Sequence, residues 1–173
     1  FIEYISLETD HVAGKPDYLG GGGDPSPVTA YGVYLGMKAA QKQLSGSESL
    51  EGKKVLVQGA GHVGQYLIDH LAKEKAVISI ADINKANLKM VSDKYKVKVV
   101  SPTDVYHADM DIYAPCALGA SINDSTIPQL KCGVIAGAAN NQLADERVHG
   151  NLLRDKGIIY APDFLINAGG VIN

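Results

Sequence analysis

The chain has 173 residues, 46% of them apolar, and 16 Lys and Arg against 19 Asp and Glu give a net charge of −3. That length and apolar fraction support one domain with a real core, or slightly more, and exclude a disordered or fibrous chain. No basic stripe or aromatic platform points to nucleic acid, and no apolar run reaches the ~18 residues of a membrane span. Two cysteines, Cys116 and Cys132, are too few for a disulfide scaffold and make a reduced, cytoplasmic setting the default.

Residues 1–9 read as an amphipathic helix, with Ile2, Ile5 and Leu7 set against Glu3, Ser6 and Glu8. Acid stands there where a signal peptide carries base. The chain opens inside that pattern and stops at Gly169-Gly-Val-Ile-Asn173 without a cap or polar tail, so both ends read as cuts in a longer protein. Thr9 to Asp24 reads as a loop with the flexible run Gly20–Gly23. A helix is expected over 26–44, with Ser26 as N-cap and Pro27 at its first position. Gly32, Gly36 and Ala40 recur every fourth residue and give it one smooth face for close approach.

Beyond a linker at 46–49, strands and helices alternate. Strands are expected at 54–58, 76–81, 97–100, 111–115, 132–137 and 157–161, and helices at 62–73, 84–94, 125–130, 143–155 and 163–173. Strands apolar on both faces and separated by helices imply an α/β fold: a Rossmann-type, doubly wound, mostly parallel sheet with helices on both faces. Crossovers are expected to be right-handed, and six strands around a Gly-rich first turn suggest the order 3-2-1-4-5-6. The division expected is a helical segment at 1–45 leading into an α/β domain at 46–173.

The strongest local signal is the run Val55-Leu-Val-Gln-Gly-Ala-Gly-His-Val-Gly64. Gly59 allows the tight turn out of a strand. Gly61 lets backbone approach a diphosphate with no Cβ in the way, and Gly64 lets the new helix pack close to the sheet. The diphosphate would sit on the helix's first N–H groups, at His62, Val63 and Gly64, and on its positive dipole end. Asp82 closes the next apolar run, about twenty residues on, where a ribose-binding carboxylate belongs. That acid would repel a 2′-phosphate, so NAD is favoured over NADP and either over FAD. Ile83 can lie against adenine, and Lys85 reads as a solvated helix start. Asp82 as a mere helix N-cap, and the whole run as a Gly-rich turn that binds nothing, are the plainer alternatives.

Several longer segments resemble one family. Gly23-Asp-Pro-Ser-Pro-Val-Thr-Ala-Tyr-Gly-Val-Tyr34 resembles the start of the cofactor domain of the glutamate, leucine, phenylalanine and valine dehydrogenases. Asp111-Ile-Tyr-Ala-Pro-Cys-Ala-Leu-Gly119, Val134-Ile-Ala-Gly-Ala-Ala-Asn-Asn-Gln-Leu143 and Tyr160-Ala-Pro-Asp-Phe-Leu-Ile-Asn-Ala-Gly-Gly-Val-Ile-Asn173 match in the same order. The match is closest to leucine dehydrogenase, with the phenylalanine enzyme a near second. The resemblance implies NAD-dependent oxidative deamination of an L-amino acid, leucine or another branched-chain one, to the 2-oxo acid. It also implies closed homo-oligomers for full-length enzymes. The family's catalytic Lys, in a Gly-Gly-Gly-Lys motif, and its partner Asp belong to an N-terminal domain. Here Gly20–Gly23 is followed by Asp24, so no catalytic residue is assigned to this segment, which is expected to bind cofactor without turnover. A non-catalytic NAD-binding module is the competing reading.

By the same resemblance the Thr29 hydroxyl meets the nicotinamide carboxamide, against the alternative that it bonds its own helix. Asn140 holds the carboxamide or a ribose hydroxyl, Ala138 and Ala139 shape the floor, and Asn167 bridges cofactor and substrate nitrogen. Each Asn also reads as a plain turn or capping residue. Cys116 and Ala117 line the cofactor cleft by backbone, with Cys116 a packing thiol rather than a nucleophile, and Cys132 reads as core. His62 stands where the family more often has Asn; it touches the diphosphate or simply faces solvent. The five histidines show no metal-binding spacing.

Overall fold

The computed structural model describes residues 2–9, 11–12 and 14–172. Its centre is one six-stranded parallel sheet of β1 (Lys54–Gln58), β2 (Val77–Ala81), β3 (Lys98–Val99), β4 (Ile112–Pro115), β5 (Val134–Ile135) and β6 (Ile159–Tyr160). The strand order is β3-β2-β1-β4-β5-β6, the order expected for six strands around a Gly-rich first turn. All five pairings are parallel, with Val55 opposite Ile78 on one side and Ile112 on the other. β1 therefore lies at the point where the winding direction reverses, and the chain leaves β1 and β2 at the same edge of the sheet.

The helices are α1 (Ile2–Ile5), α2 (Ser26–Ser45), α3 (His62–Lys73), α4 (Lys85–Lys94), α5 (Glu146–Asp155), α6 (Asp163–Ile166) and α7 (Gly169–Ile172). One face of the sheet packs on α2 and α3, where Ala30, Val33 and Met37 meet Val55, Val57, Leu67 and Leu71. The other face buries Leu56, Tyr113, Ile122, Ile135 and Leu153. Burial on both faces is why the inner strands β1, β4 and β5 read as continuous apolar runs, whereas both residues of the edge strand β3 are exposed.

The small-residue face of α2 is filled by α6. A Cβ on Gly32 would lie 2.5 Å from the Ile166 carbonyl oxygen, and one on Gly36 would lie 2.3 Å from the Ile166 side chain. The start of α2 differs from expectation by one residue. Pro25 occupies the cap position, Ser26 is already helical, and Asp24 Oδ1 accepts from Ser26 N–H at 2.9 Å. The Asp24 carboxylate, a stronger acceptor than a hydroxyl, takes the capping role.

Several elements are shorter than their apolar patterns. The helix expected at 125–130 is a single 3₁₀ turn, Ile127–Gln129, with Pro128 inside it. Asn123 Oδ1 organises its entry by accepting from the N–H groups of Ser125 and Thr126. The helix expected from 143 begins at Glu146, because Asp145 accepts from Val148 N–H and caps it there. The segment 163–172 is broken at Asn167–Ala168 into α6 and α7, and the helix expected at 1–9 contracts to α1 and a turn. Positions 1 and 173 of those two expectations lie outside the described residues.

Candidate dinucleotide site

The glycine turn is built by close backbone contacts at two of its three glycines, Gly59 and Gly64. Gly59 has φ +104°, donates its N–H to Ala81 O at 2.8 Å, and would place a Cβ 2.8 Å from the Cys116 carbonyl. Only a residue without a side chain fits that left-handed bend. A Cβ on Gly64 would lie 2.0 Å from the Gly59 carbonyl oxygen, so α3 starts in direct contact with the turn. Gly61 is the opposite case: a Cβ there meets no atom within 4 Å. It sits at the cap position of α3, extended, with no side chain over the helix end. The first bond of the helical ladder is Gln65 N–H to Gly61 O, at 2.9 Å. The amides of His62, Val63 and Gly64 precede it and face out of the helix end. Val63 packs its side chain on the core, so it offers the site its N–H.

Asp82 leaves β2 beside this turn. Its Oδ2 accepts from Ala60 N–H and its Oδ1 from Asn84 N–H, each at 2.7 Å. Helix capping falls to Asn84, whose Oδ1 accepts from Ala86 and Asn87 N–H. Each Asp82 oxygen keeps a further lone pair for an incoming hydroxyl. Ile83 follows, 90% exposed, on the rim of a cavity of about 300 Å³. Asp82, Gly59, Ala117, Pro102, Tyr106 and Leu118 also line it. Leu118, 84% exposed, is an apolar side chain left in water at the mouth. Pro102, Tyr106 and Leu118 were not singled out from the sequence. Their shared signal is position, since each follows the carboxyl end of a strand.

Cys116 follows β4, with its N–H donating to Gln58 O at 2.7 Å. Burial pushes its thiol up to about 11, and that of Cys132 likewise to about 11, which favours the protonated thiol over the thiolate near neutrality. Behind the turn, the buried Tyr113 hydroxyl donates to Gln58 Oε1. His62 is exposed and borders a separate polar cavity shared with Asp24, Gln65, Tyr66, Asp69 and Lys94. No group of three or more His, Cys, Asp or Glu among the described residues is arranged to hold a metal ion.

The second half of the site lies beyond β5. Asn167, at the end of α6, donates its amide to Asn140 Oδ1 at 2.7 Å and to Ala138 O at 3.3 Å. Ala139 is buried beneath, and its N–H donates to Pro115 O at 2.9 Å. Thr29 Oγ1 bonds its own helix at Pro25 O, 2.8 Å away, which is the plainer of its two readings. The same oxygen would lie 2.9 Å from a Cβ on Gly170, so Thr29 also packs against α7. The structure thus gathers Gly59, Gly61, Gly64 and Asp82 at one point, and Ala138, Asn140 and Asn167 at another. Thr29 is joined to the second group through α7.

The sequence profile of the Glutamate/Leucine/Phenylalanine/Valine dehydrogenases matches residues 20–86 and 77–173, nearly the whole of this geometry. The chain belongs to that family. Leucine dehydrogenase of Thermoactinomyces intermedius is 55% identical over 172 residues, which cover 99% of this chain and 47% of the relative. L-tryptophan dehydrogenase of Nostoc punctiforme is 45% identical over 172 residues, covering 99% and 48%. The crystal structure of a Nostoc punctiforme L-tryptophan dehydrogenase superposes with a TM-score of 0.84 at 47% identity, covering 86% of this chain and 45% of that one. A hetero-hexameric glutamate dehydrogenase of Thermus thermophilus shares the fold, with a TM-score of 0.72 at 22% identity. It covers 97% of this chain and 44% of that one. This family member spans about half the length of the curated relatives it matches. No helix among its described residues is long and apolar enough to cross a membrane.

Proposed function

We propose that the crevice along the carboxyl ends of β1, β2, β4 and β5 binds NAD(H), and that the chain is the cofactor half of an NAD-dependent L-amino-acid dehydrogenase. The observation that carries this reading is the open space over Gly61, set between the outward amides of α3 and the Asp82 carboxylate. The amides of His62, Val63 and Gly64 receive the diphosphate, where the helix dipole adds to their pull. Asp82 accepts the adenosine ribose hydroxyls. Its negative charge opposes a 2′-phosphate, so NAD is preferred to NADP. Ile83 and Leu118, exposed and apolar, gain burial by closing on adenine. The other end of the dinucleotide runs toward Asn140 and Asn167, with Thr29 and Cys116–Ala117 along the wall.

When bound, the nicotinamide supplies the hydride acceptor. The chain's own residues fix its orientation: Asn140 and Asn167 offer amide groups to the carboxamide, and Asn167 also faces the substrate nitrogen. The reaction further needs a group of near-neutral pKa to move protons at the substrate amine and at water. That work is assigned to the portion of the curated relatives that this chain does not span. The substrate is read as leucine or another branched-chain amino acid, in keeping with the leucine dehydrogenase relatives, and the phenylalanine or valine enzyme is the alternative. The full enzyme is read as a cytoplasmic homo-oligomer, with Cys116 and Cys132 as thiols. Calorimetry with NADH, NADPH, FAD and S-adenosylmethionine tests the cofactor. NADH is expected to bind tightest; tightest binding of NADPH, FAD or S-adenosylmethionine refutes the reading.

A further inference from the structure

Gln142 lies just past the two Asn residues that follow β5, and its residue is 0% exposed. A polar side chain so deep must find partners inside the protein. Its Nε2 donates to Gly137 O at 2.8 Å and to Ala139 O at 3.0 Å, both in the turn that carries Ala138 and Asn140. Its Oε1 is buried without a partner. Elsewhere the same turn is fastened by backbone. Ala139 N–H reaches Pro115 O at 2.9 Å, and Asn141 O accepts from Ala120 N–H at 2.7 Å. Gly137 has no space to shift toward β4, since a Cβ there would lie 2.1 Å from Pro115 O. Asn141 adopts φ +51°, which turns the chain sharply between Asn140 and Gln142.

We infer that Gln142 is a positioning residue: by drawing the Gly137 and Ala139 carbonyls inward it fixes the turn that presents Asn140 to Asn167 and to the nicotinamide. The inference rests on the proposed NAD reading and deepens it. An apolar side chain of similar length would fill the same space without leaving an orphan oxygen. The amide's distinctive contribution is a single arrangement of two carbonyls.

The test compares two ligands that share adenosine, ribose and diphosphate. NADH carries the nicotinamide and ADP-ribose does not. The unaltered chain should bind NADH more tightly than ADP-ribose. Gln142→Met should weaken NADH about tenfold, the worth of one net hydrogen bond, and leave ADP-ribose unchanged. Equal losses for both ligands, or no loss for either, overturn the inference. Should the variant fail to fold, NMR of the unaltered chain decides. The Gln142 side-chain NH₂ protons should exchange slowly with solvent and shift with NADH but not with ADP-ribose. Rapid exchange, or equal shifts with both ligands, refutes the role. If the unaltered chain binds neither ligand, the cofactor reading itself has failed, and that is seen before any variant is made.

Discussion

Gly61 and Gly64 lie in one motif and one turn of chain, yet their replacement should fail in opposite ways. At Gly61 a Cβ meets nothing within 4 Å, and φ −72°, ψ −166° is ordinary extended backbone. Gly61→Val therefore costs the fold little. A weaker helix cap, about 1 kcal/mol, is offset by a less flexible unfolded chain, about 0.4–1 kcal/mol. The melting temperature should move by no more than ~4 °C. The branched side chain does occupy the space in front of the α3 amides. A diphosphate held off by it loses two charge-assisted bonds, together ~3 kcal/mol, or roughly 100-fold in Kd. Gly64→Ala puts its methyl 2.0 Å from the Gly59 carbonyl oxygen, which is backbone and has nowhere to go. Overpacking of that kind should cost ~3 kcal/mol and lower the melting temperature by roughly 6–12 °C. Thermal melts and NADH calorimetry on both variants separate the effects. Gly61→Val binding NADH like the parent would show that no diphosphate approaches this turn. Gly61→Val unfolding as readily as Gly64→Ala would show that the space over Gly61 is not there.

Asp82→Asn keeps one acceptor oxygen but turns an NH₂ toward either Ala60 or Asn84 N–H. NADH affinity should fall by ~1–3 kcal/mol and the preference over NADPH should narrow; an unchanged NADH to NADPH ratio in calorimetry would remove the ribose from Asp82. Lys156 Nζ donates to the carbonyls of Ile127, Pro128 and Leu130 at 2.6–3.0 Å, tying down the 3₁₀ turn. Lys156→Met should lower stability in a urea titration by ~1–2 kcal/mol, and a neutral effect would mean water replaces the ammonium fully. Acid should weaken the α2–α3 contact in two steps. Burial, then the charge of Lys73, hold the His70 pKa below its ordinary value, and the Lys38 and Tyr34 bonds hold the Glu74 carboxyl below the usual range. Both shifts are downward, so their stability is whole above about pH 6.5 and is lost as pH falls, first through His70 and then through Glu74. Glu74→Gln should flatten the lower part of that curve in urea melts between pH 7 and 3; an unaltered slope would contradict the ion pair.

What the sequence made legible follows from how locally each feature is specified. The β1–glycine–α3 unit was readable to the residue because one short window holds the strand, the bend and the helix start, and α3 spans His62–Lys73 as expected. Strand order followed from alternation together with the Gly-rich turn after the first strand. Element ends were less readable because neighbours set them. β5 stops at Ile135 rather than 137, since Gly137 is pressed against Pro115 and the chain must turn there. The 125–130 pattern is apolar enough for a helix, but the Asn123 side chain and Pro128 give one tight turn instead. Pro102, Tyr106 and Leu118 come together only through the sheet, so no local period marks them. Gln142 carries only a faint local signal, a long amide beside an Asn pair after a strand end, and its burial is set by the surrounding fold.

The two halves of the crevice also differ in what holds them, and this bears on how the site works. The glycine-turn side, which the proposed reading gives to adenosine, is backbone packed on backbone at Gly59 and Gly64. The other side, which that reading gives to nicotinamide, joins Asn140 to Asn167 across 27 residues by one amide contact, and it rests on α6 and α7, each four residues long. Helices that short gain little from their own ladder and depend on tertiary contacts. Those contacts are specific: Gly169 would place a Cβ 2.5 Å from Val28 O, and Ile166 fills the hollow over Gly32 and Gly36. Asn167 and Thr29 are thus fixed through one piece of packing, and a disturbance of α6 or α7 displaces both while the glycine turn stands. On the proposed NAD reading, affinity should be set mainly by the glycine-turn end and placement of the reacting ring by the end that packing can adjust. That division suits a cofactor that must bind firmly by one end while the other meets a substrate.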